Sequence, residues 1–229
     1  MKRLLIIGII ILMVCSGCKS LKKTWNAITG KEMSGSAQQL AWDGMDAYED
    51  GDYKDAIEYF QQLKDWYPFS KYAILAELKI ADANYHLERY EEAIFGYEEF
   101  EKLHPRNEAI PYVIYQIGRC YFDQIGTIDR DQTPARKAYE TFQRLDKQFP
   151  DDKYARSGAE HITTCVRNLV GNEYYIGHFY FKSKHYKAAL YRFMRVISDY
   201  PDVGYHQKAL EYIARCEAEI SEEETADVN

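Results

Sequence analysis

One three-point spacing occurs four times along this 229-residue chain and narrows what it can fold into. Tyr53, Ala56, Phe60 and Pro68 return 37 residues later as Tyr90, Ala93, Tyr97 and Pro105. The same order of Ala, aromatic ring and Pro returns as Ala138, Phe142, Pro150 and as Ala189, Phe193, Pro201. An Ala and a ring four residues apart share one helix face, where the Ala lets a neighbour approach and the ring fills the space beside it. Each Pro then denies the following segment an amide donor and biases the residue before it toward extended backbone. A single unit of this kind cannot bury its apolar face, so neighbouring units must stack. The spacing predicts an all-α array of helical hairpins.

The pattern of small and aromatic residues is similar to the tetratricopeptide repeat, whose usual period is about 34 residues. It predicts about five repeats, the last truncated, in a right-handed superhelical solenoid. Helices are expected over 37–50, 53–66, 70–87, 90–103, 109–124, 133–148, 185–199 and 203–219. Ser70, Asn107 and Asp151 or Asp152 are placed to cap the helices that follow the prolines. Two breaks interrupt the period. Eight extra residues separate Gly118 from Ala138, relative to Gly44 and Ala56, and create the insertion 123–133. Between Pro150 and Gly177 no proline interrupts residues 153–182, which predicts one long helix or two nearly coaxial ones. The array divides into N-terminal repeats 37–125 and C-terminal repeats 126–220, followed by a solvated acidic tail, 221–229.

The first residues read as a targeting segment. Lys2 and Arg3 precede an apolar run from Leu4 to Val14, and Ser16 and Gly17 lead to Cys18. The run suits a signal-peptide core and falls short of the roughly 17–25 residues that span a bilayer. Ser-Gly-Cys at its end resembles the lipobox of bacterial lipoproteins, with Cys15 where a Leu usually stands. Residues 1–17 are therefore expected to be a lipoprotein signal peptide, with Cys18 the lipidated residue, palmitate among its chains. Residues 18–36, rich in Lys, Thr, Gly and Ser, form the expected tether.

Charge and motifs exclude several classes. Loss of Lys2 and Arg3 takes the formal charge from −7 to −9, which argues against nucleic acid, whose affinity rests on Lys and Arg at phosphates. Cys120, Cys165 and Cys216 are odd in number and widely spaced, so free buried thiols are expected rather than a disulfide framework. No nucleophile elbow, phosphate loop, dinucleotide fingerprint or zinc-protease motif occurs. The histidines are too dispersed for a metal cluster. The expectation is no catalytic residue, no metal and no cofactor: a binding scaffold and not an enzyme. Glu98, Glu99 and Glu101 read as a solvated helix face.

Three segments carry a closer resemblance. Tyr67-Pro-Phe-Ser-Lys-Tyr-Ala73, Pro111-Tyr-Val-Ile-Tyr-Gln-Ile-Gly118 and Asp129-Arg-Asp-Gln-Thr-Pro-Ala-Arg-Lys-Ala138, in this order after a lipobox, resemble the BamD family of the outer-membrane β-barrel assembly machinery. The resemblance implies a lipid anchor in the outer membrane, facing the periplasm of a Gram-negative bacterium. It also implies docking to the periplasmic domains of the barrel insertase BamA, handling of unfolded outer-membrane barrel proteins, and contact with other assembly lipoproteins. The shortened last repeat departs from the family pattern. The alternative is a periplasmic tetratricopeptide adaptor for envelope maintenance of the Tol-Pal kind, which shares the Tyr-Pro turn. An enzyme of unknown type is a distant third.

Repeat register nominates a protein-binding groove on the first helices of the pairs. Tyr48, Tyr85 and Phe122 stand 37 residues apart, with Phe181 as the fourth-repeat equivalent. Met45, Leu75, Tyr112, Tyr115, Arg119 and Tyr174 stand nearby. Large amphipathic rings on a rigid scaffold make good anchors for a partner chain.

Overall fold

The computed structural model describes residues 35–226, so the signal segment, Cys18 and all but the last two residues of the tether lie outside it. Among the described residues there are nine helices and no strands. They are α1 (Ala37–Glu49), α2 (Tyr53–Trp66), α3 (Ala73–His86), α4 (Tyr90–Leu103), α5 (Ile110–Phe122), α6 (Thr133–Gln148), α7 (Lys153–Lys182), α8 (Tyr186–Ser198) and α9 (His206–Ala226). Each helix packs on the next in chain order, and α5 also touches α7. Four hairpins and a ninth helix thus form a helical-repeat solenoid.

The repeated ring packs against a residue with little or no side chain on the first helix of its pair. A Cβ on Gly44 would lie 2.8 Å from Phe60, one on Gly118 2.5 Å from Phe142, and one on Gly177 2.9 Å from Phe193. The second pair reverses the arrangement: Ala81 on α3 faces Gly96 on α4. Ala56, Ala93, Ala138 and Ala189 are fully buried beside their rings, as the spacing predicted. Phe142 is confined on a second side as well, because Gly158 of α7 approaches its ring. Gly118→Ala should therefore destabilise the fold by about 3 kcal/mol, the upper end of overpacking costs, because the ring has no free side to retreat to. Urea unfolding measures this. A cost below about 1 kcal/mol would show that Phe142 can repack.

The corners within pairs share one geometry. Gly51, Glu88 and Lys184 all adopt left-handed backbone, with φ of 81°, 58° and 59°. In each the amide of that residue and the next bond back to the helix end, as in Gly51 N to Tyr48 O and Asp52 N to Ala47 O, which is the Schellman closure. Between pairs, Tyr67, His104 and Phe149 precede proline with φ of −133°, −126° and −138° and ψ of 53°, 52° and 58°, outside the helical region that a following proline disfavours.

Some expectations need correction. α3 starts at Ala73 and α5 at Ile110, so Ser70 and Asn107 do not cap helices. Their side chains accept from Tyr72 N and Ala109 N and close the turn in front. Asp152 is a true cap, accepting from Tyr154 N, and Ser36 caps α1. The last helix continues to Ala226 and not to 219 as expected, so residues 221–226 of the acidic tail are solvent-exposed helix. Glu101 is not idle surface, because Arg144 of α6 grips both its oxygens, at 2.5 and 3.1 Å.

The two breaks in the period have one structural purpose. Residues 153–182 form a single 30-residue helix, about 45 Å long at 1.5 Å per residue. Its first half presents Gly158 to Phe142 of the third pair, and its second half presents Gly177 to Phe193 of the fourth. One helix thereby serves two hairpins. The insertion folds onto it: Asn172 donates to Ile128 O at 2.6 Å, and the buried Gln132 amide donates to Thr127 O and Arg130 O. Buried Glu173 accepts from Arg192 and Arg195, at 2.9 and 2.8 Å, and pins α8 to α7. Cys120, Cys165 and Cys216 are buried free thiols.

Candidate protein-binding groove

First helices α1, α3, α5 and α7 lie side by side, and the nominated residues sort into three groups along them. The ladder rings sit at the hairpin corners. Tyr48, Tyr85 and Phe181 each stand edge-on to the tyrosine five residues later, Tyr53, Tyr90 and Tyr186, with centroids 5.4, 6.0 and 5.5 Å apart. These rings are half-buried against their own pair and remain partly exposed. Phe122 has no such partner, because Ala135 stands where the other pairs have a tyrosine three residues before the repeated Ala, and its ring centre lies 4.4 Å from that of His161 on α7.

Tyr85, Tyr115, Arg119 and Phe122 come together. Arg119 donates to the Tyr85 hydroxyl at 2.9 Å and pairs with Asp123 at 3.2 Å, and the Tyr85 hydroxyl donates to Asp123 at 2.5 Å. Tyr115 stands 3.5 Å from Arg119 and 3.3 Å from the His161 ring nitrogen. Sequence reasoning missed Asp123 and His161. Asp123 follows Arg119 by one helical turn, a usable signal, whereas His161 lies on the part of α7 where the repeat period is lost. Burial, and then the Arg119 guanidinium, hold the His161 pKa below the ordinary imidazole value. Its folded pKa is lower than its unfolded one, so protonation favours unfolding and stability falls as pH drops below about 6.5. His161→Phe should flatten that part of the stability–pH curve, measured by urea midpoints between neutral and mildly acidic pH. An unchanged slope would remove His161 as its source.

A second cluster centres on Asp82, also missed, whose carboxylate is 1% exposed. It accepts from the hydroxyls of Tyr97 and Tyr112, both at 2.8 Å, and from Lys79 at 2.9 Å. The Lys79 ammonium lies 4.3 Å from the Tyr48 ring centre. Tyr112 is thus mainly a structural tie between α3 and α5. Burial and the Asp82 charge push its hydroxyl pKa up, so it remains a donor. Met45 packs on the core of the first pair, and Leu75 is exposed.

Tyr174 and Phe181 form a third group, separate from the others. Tyr174 packs on Phe193, Tyr205 and Tyr212, and Phe181 on Tyr212. Arg215 of α9 lies over the rings of Phe181 and Tyr212. Helix α9 therefore covers this end of the face. Nearby, Tyr175 and Phe179 are exposed on α7, one and two turns past the Asn172 contact with the insertion. Among the described residues no three His, Cys, Asp or Glu side chains gather as a metal site, and no helix is long and apolar enough to cross a membrane.

The chain resembles known proteins over most of its length. It is 31% identical over 207 residues to outer membrane protein assembly factor BamD of Rickettsia prowazekii, covering 90% of this chain and 78% of that one. It is 29% identical over 167 residues to the BamD of Caulobacter vibrioides, covering 73% of this chain and 55% of that relative's length. A solved structure, the TPR2AB-domain:pHSP90 complex of yeast Sti1, aligns with a TM-score of 0.45 at 16% identity, over 80% of this chain and 70% of that one. The family model described as outer membrane lipoprotein, YfiO, matches residues 33–229 and so takes in every described helix. The chain belongs to the YfiO family of outer membrane lipoproteins.

Proposed function

We propose that this chain is a lipid-anchored scaffold of outer-membrane protein assembly, held at Cys18 on the periplasmic side of the outer membrane. The observation that carries the reading is the family match over residues 33–229, whose relatives are named assembly factors. An array of hairpins with half-buried rings along its first helices suits the holding of other chains. The C-terminal repeats, where Tyr175 and Phe179 are exposed beside the insertion, dock the periplasmic domains of a BamA-like insertase. The N-terminal repeats, 37–125, receive segments of unfolded barrel proteins along Tyr48, Tyr85 and Phe122. Other assembly lipoproteins are further partners. Affinity isolation from detergent-solubilised outer membranes tests this: a barrel protein with periplasmic repeats should co-purify. Recovery of Tol-Pal-type partners in its place would favour the envelope-maintenance reading.

Substrate handling has its own test. Barrel proteins commonly end in a strand of alternating apolar residues with a terminal aromatic, which can seat between the partly exposed rings. Loss of one such anchor costs on the order of 2 kcal/mol, about thirtyfold in affinity. Tyr85→Ala with Phe122→Ala, which removes two anchors, should stay folded and complex-bound while losing a barrel-derived peptide by at least about that factor. Circular dichroism, co-purification and peptide titration measure the three parts. Tyr85→Phe separates the ring from its polar role, because it keeps the edge but releases Arg119 and Asp123. Unchanged peptide affinity in the folded double variant would place substrate elsewhere.

A further inference from the structure

The four turns between hairpins share a proline but not a surface. The residue after it is Arg106, Asp151 and Asp202 in the second, third and fourth turns, but Phe69 in the first. Phe69 is fully exposed, and Trp66 and Tyr67 before it are 48% and 37% exposed. Ile74, early in α3, adds a fourth exposed apolar side chain. Lys64 and Lys71 flank the turn, with the Lys71 ammonium 5.0 Å from the centre of the Tyr72 ring. The nearest acid in sequence, Asp65, accepts from Gln61 at 2.9 Å. Three aromatic side chains beside two lysines are the composition of a membrane–water interface, where amphipathic rings sit at headgroup level and lysines reach phosphates.

What distinguishes the first turn from the others is its place beside the incoming chain. The Tyr67 hydroxyl donates to Gly35 O at 3.0 Å, fastening the turn to the start of the described chain. Whatever path residues 19–34 take, they cannot put more than about 60 Å between Cys18 and Gly35. Lys19, Lys22, Lys23 and Lys31 lie within that stretch. We propose that the Trp66–Phe69 turn is a membrane-contact wedge that rests in the headgroup region of the bilayer to which the chain is anchored, and so orients the array against it. This rests on the reading of an anchor at Cys18. A weak wedge suffices there, because a lipid tether makes its insertion intramolecular and raises its effective concentration.

The test supplies the anchor chemically, so it stands or falls apart from natural acylation. The chain from Cys18 onward is coupled through that thiol to a maleimide lipid in phosphatidylethanolamine–phosphatidylglycerol vesicles with brominated acyl chains. Cys120, Cys165 and Cys216 are buried, with thiol pKa values pushed up to about 12, 12 and 11 chiefly by burial, so coupling falls on Cys18. Tryptophan emission should be quenched, and Trp66→Phe should remove most of the quenching, leaving the share of Trp25 and Trp42. Uncoupled protein should partition into the same vesicles about tenfold less well after Trp66→Ala with Phe69→Ser, the scale of losing buried aromatic area. Quenching that survives Trp66→Phe, or equal partitioning of the wedge variant, overturns the proposal. So does an unquenched Trp66 together with loss of a protein partner in Phe69→Ser, which would make the turn a protein-docking surface.

Discussion

Asp82→Ala should lower the unfolding free energy by about 4 kcal/mol, within the range for breaking a buried charged pair. The loss comes from what is left behind. Tyr97 is fully buried, and without Asp82 its hydroxyl has no acceptor, a desolvation cost of about 1–3 kcal/mol. Lys79 loses its ion pair but is partly exposed and recovers some hydration. Tyr112 still accepts from the Gln116 amide but loses the acceptor of its own O–H, at a partly exposed position. The repeat supplies the rescue. Where the second pair has Asp82 and Tyr97, the first has Met45 and Phe60 in the same register. Asp82→Met with Tyr97→Phe should therefore recover part of the loss, because it removes the one fully buried orphan, while Tyr112 and Lys79 are partly exposed and can reach water. Urea unfolding of the three proteins measures both effects. A loss below about 1 kcal/mol in Asp82→Ala would mean that the cluster is not holding α3, α4 and α5 together.

Cys18→Ala should release the protein from the membrane fraction without unfolding it. All described helices lie between residues 37 and 226, so the packed array does not include the anchor. Two or more acyl chains give stable attachment at about 0.8 kcal/mol per buried CH₂, whereas a single chain is marginal. If Cys18 carries the proposed acyl chains, its loss removes nearly all of the membrane affinity, because the wedge at Phe69 is too weak to hold the chain by itself. Fractionation, circular dichroism and labelling with a radioactive fatty acid check the three parts. Mild detergent separates true anchoring from retention by the proposed assembly partners. Normal labelling of the variant would end the assignment of Cys18.

The helices and their pairing were legible because they depend on residues whose size and backbone limits act locally. Ala138 and Phe142 state a crossing, and Pro150 states a stop, whatever surrounds them. Helix starts were less legible: Ser70 and Asn107 have the chemistry of caps, but their side chains close a turn three residues ahead of the helix. The groove was legible as a set of positions and not as an arrangement. Register placed Tyr48, Tyr85 and Phe181 alike, and they are alike, but each leans on Tyr53, Tyr90 or Tyr186 and is only partly available. Phe122 broke rank because Ala135 stands where the other pairs have that tyrosine, and its ring packs on His161.

Local periodicity and proline placement, read from the sequence alone, determined the all-α repeat array, the order of its hairpins and an uninterrupted helical stretch over 153–182, which the structure shows to be one helix. Each depends on steric rules between residues a few positions apart. Only the tertiary structure decided which polar groups are buried and how they are satisfied. Asp82, Arg119 and His178 follow the small residues Ala81, Gly118 and Gly177 in the same register, yet their fates differ. Asp82 is sealed under two tyrosine hydroxyls, Arg119 bridges Tyr85 and Asp123, and His178 lies against Tyr212. Those partners come from neighbouring hairpins and from α9. A buried charge is tolerated only where such distant partners converge, and no spacing within one repeat records that convergence.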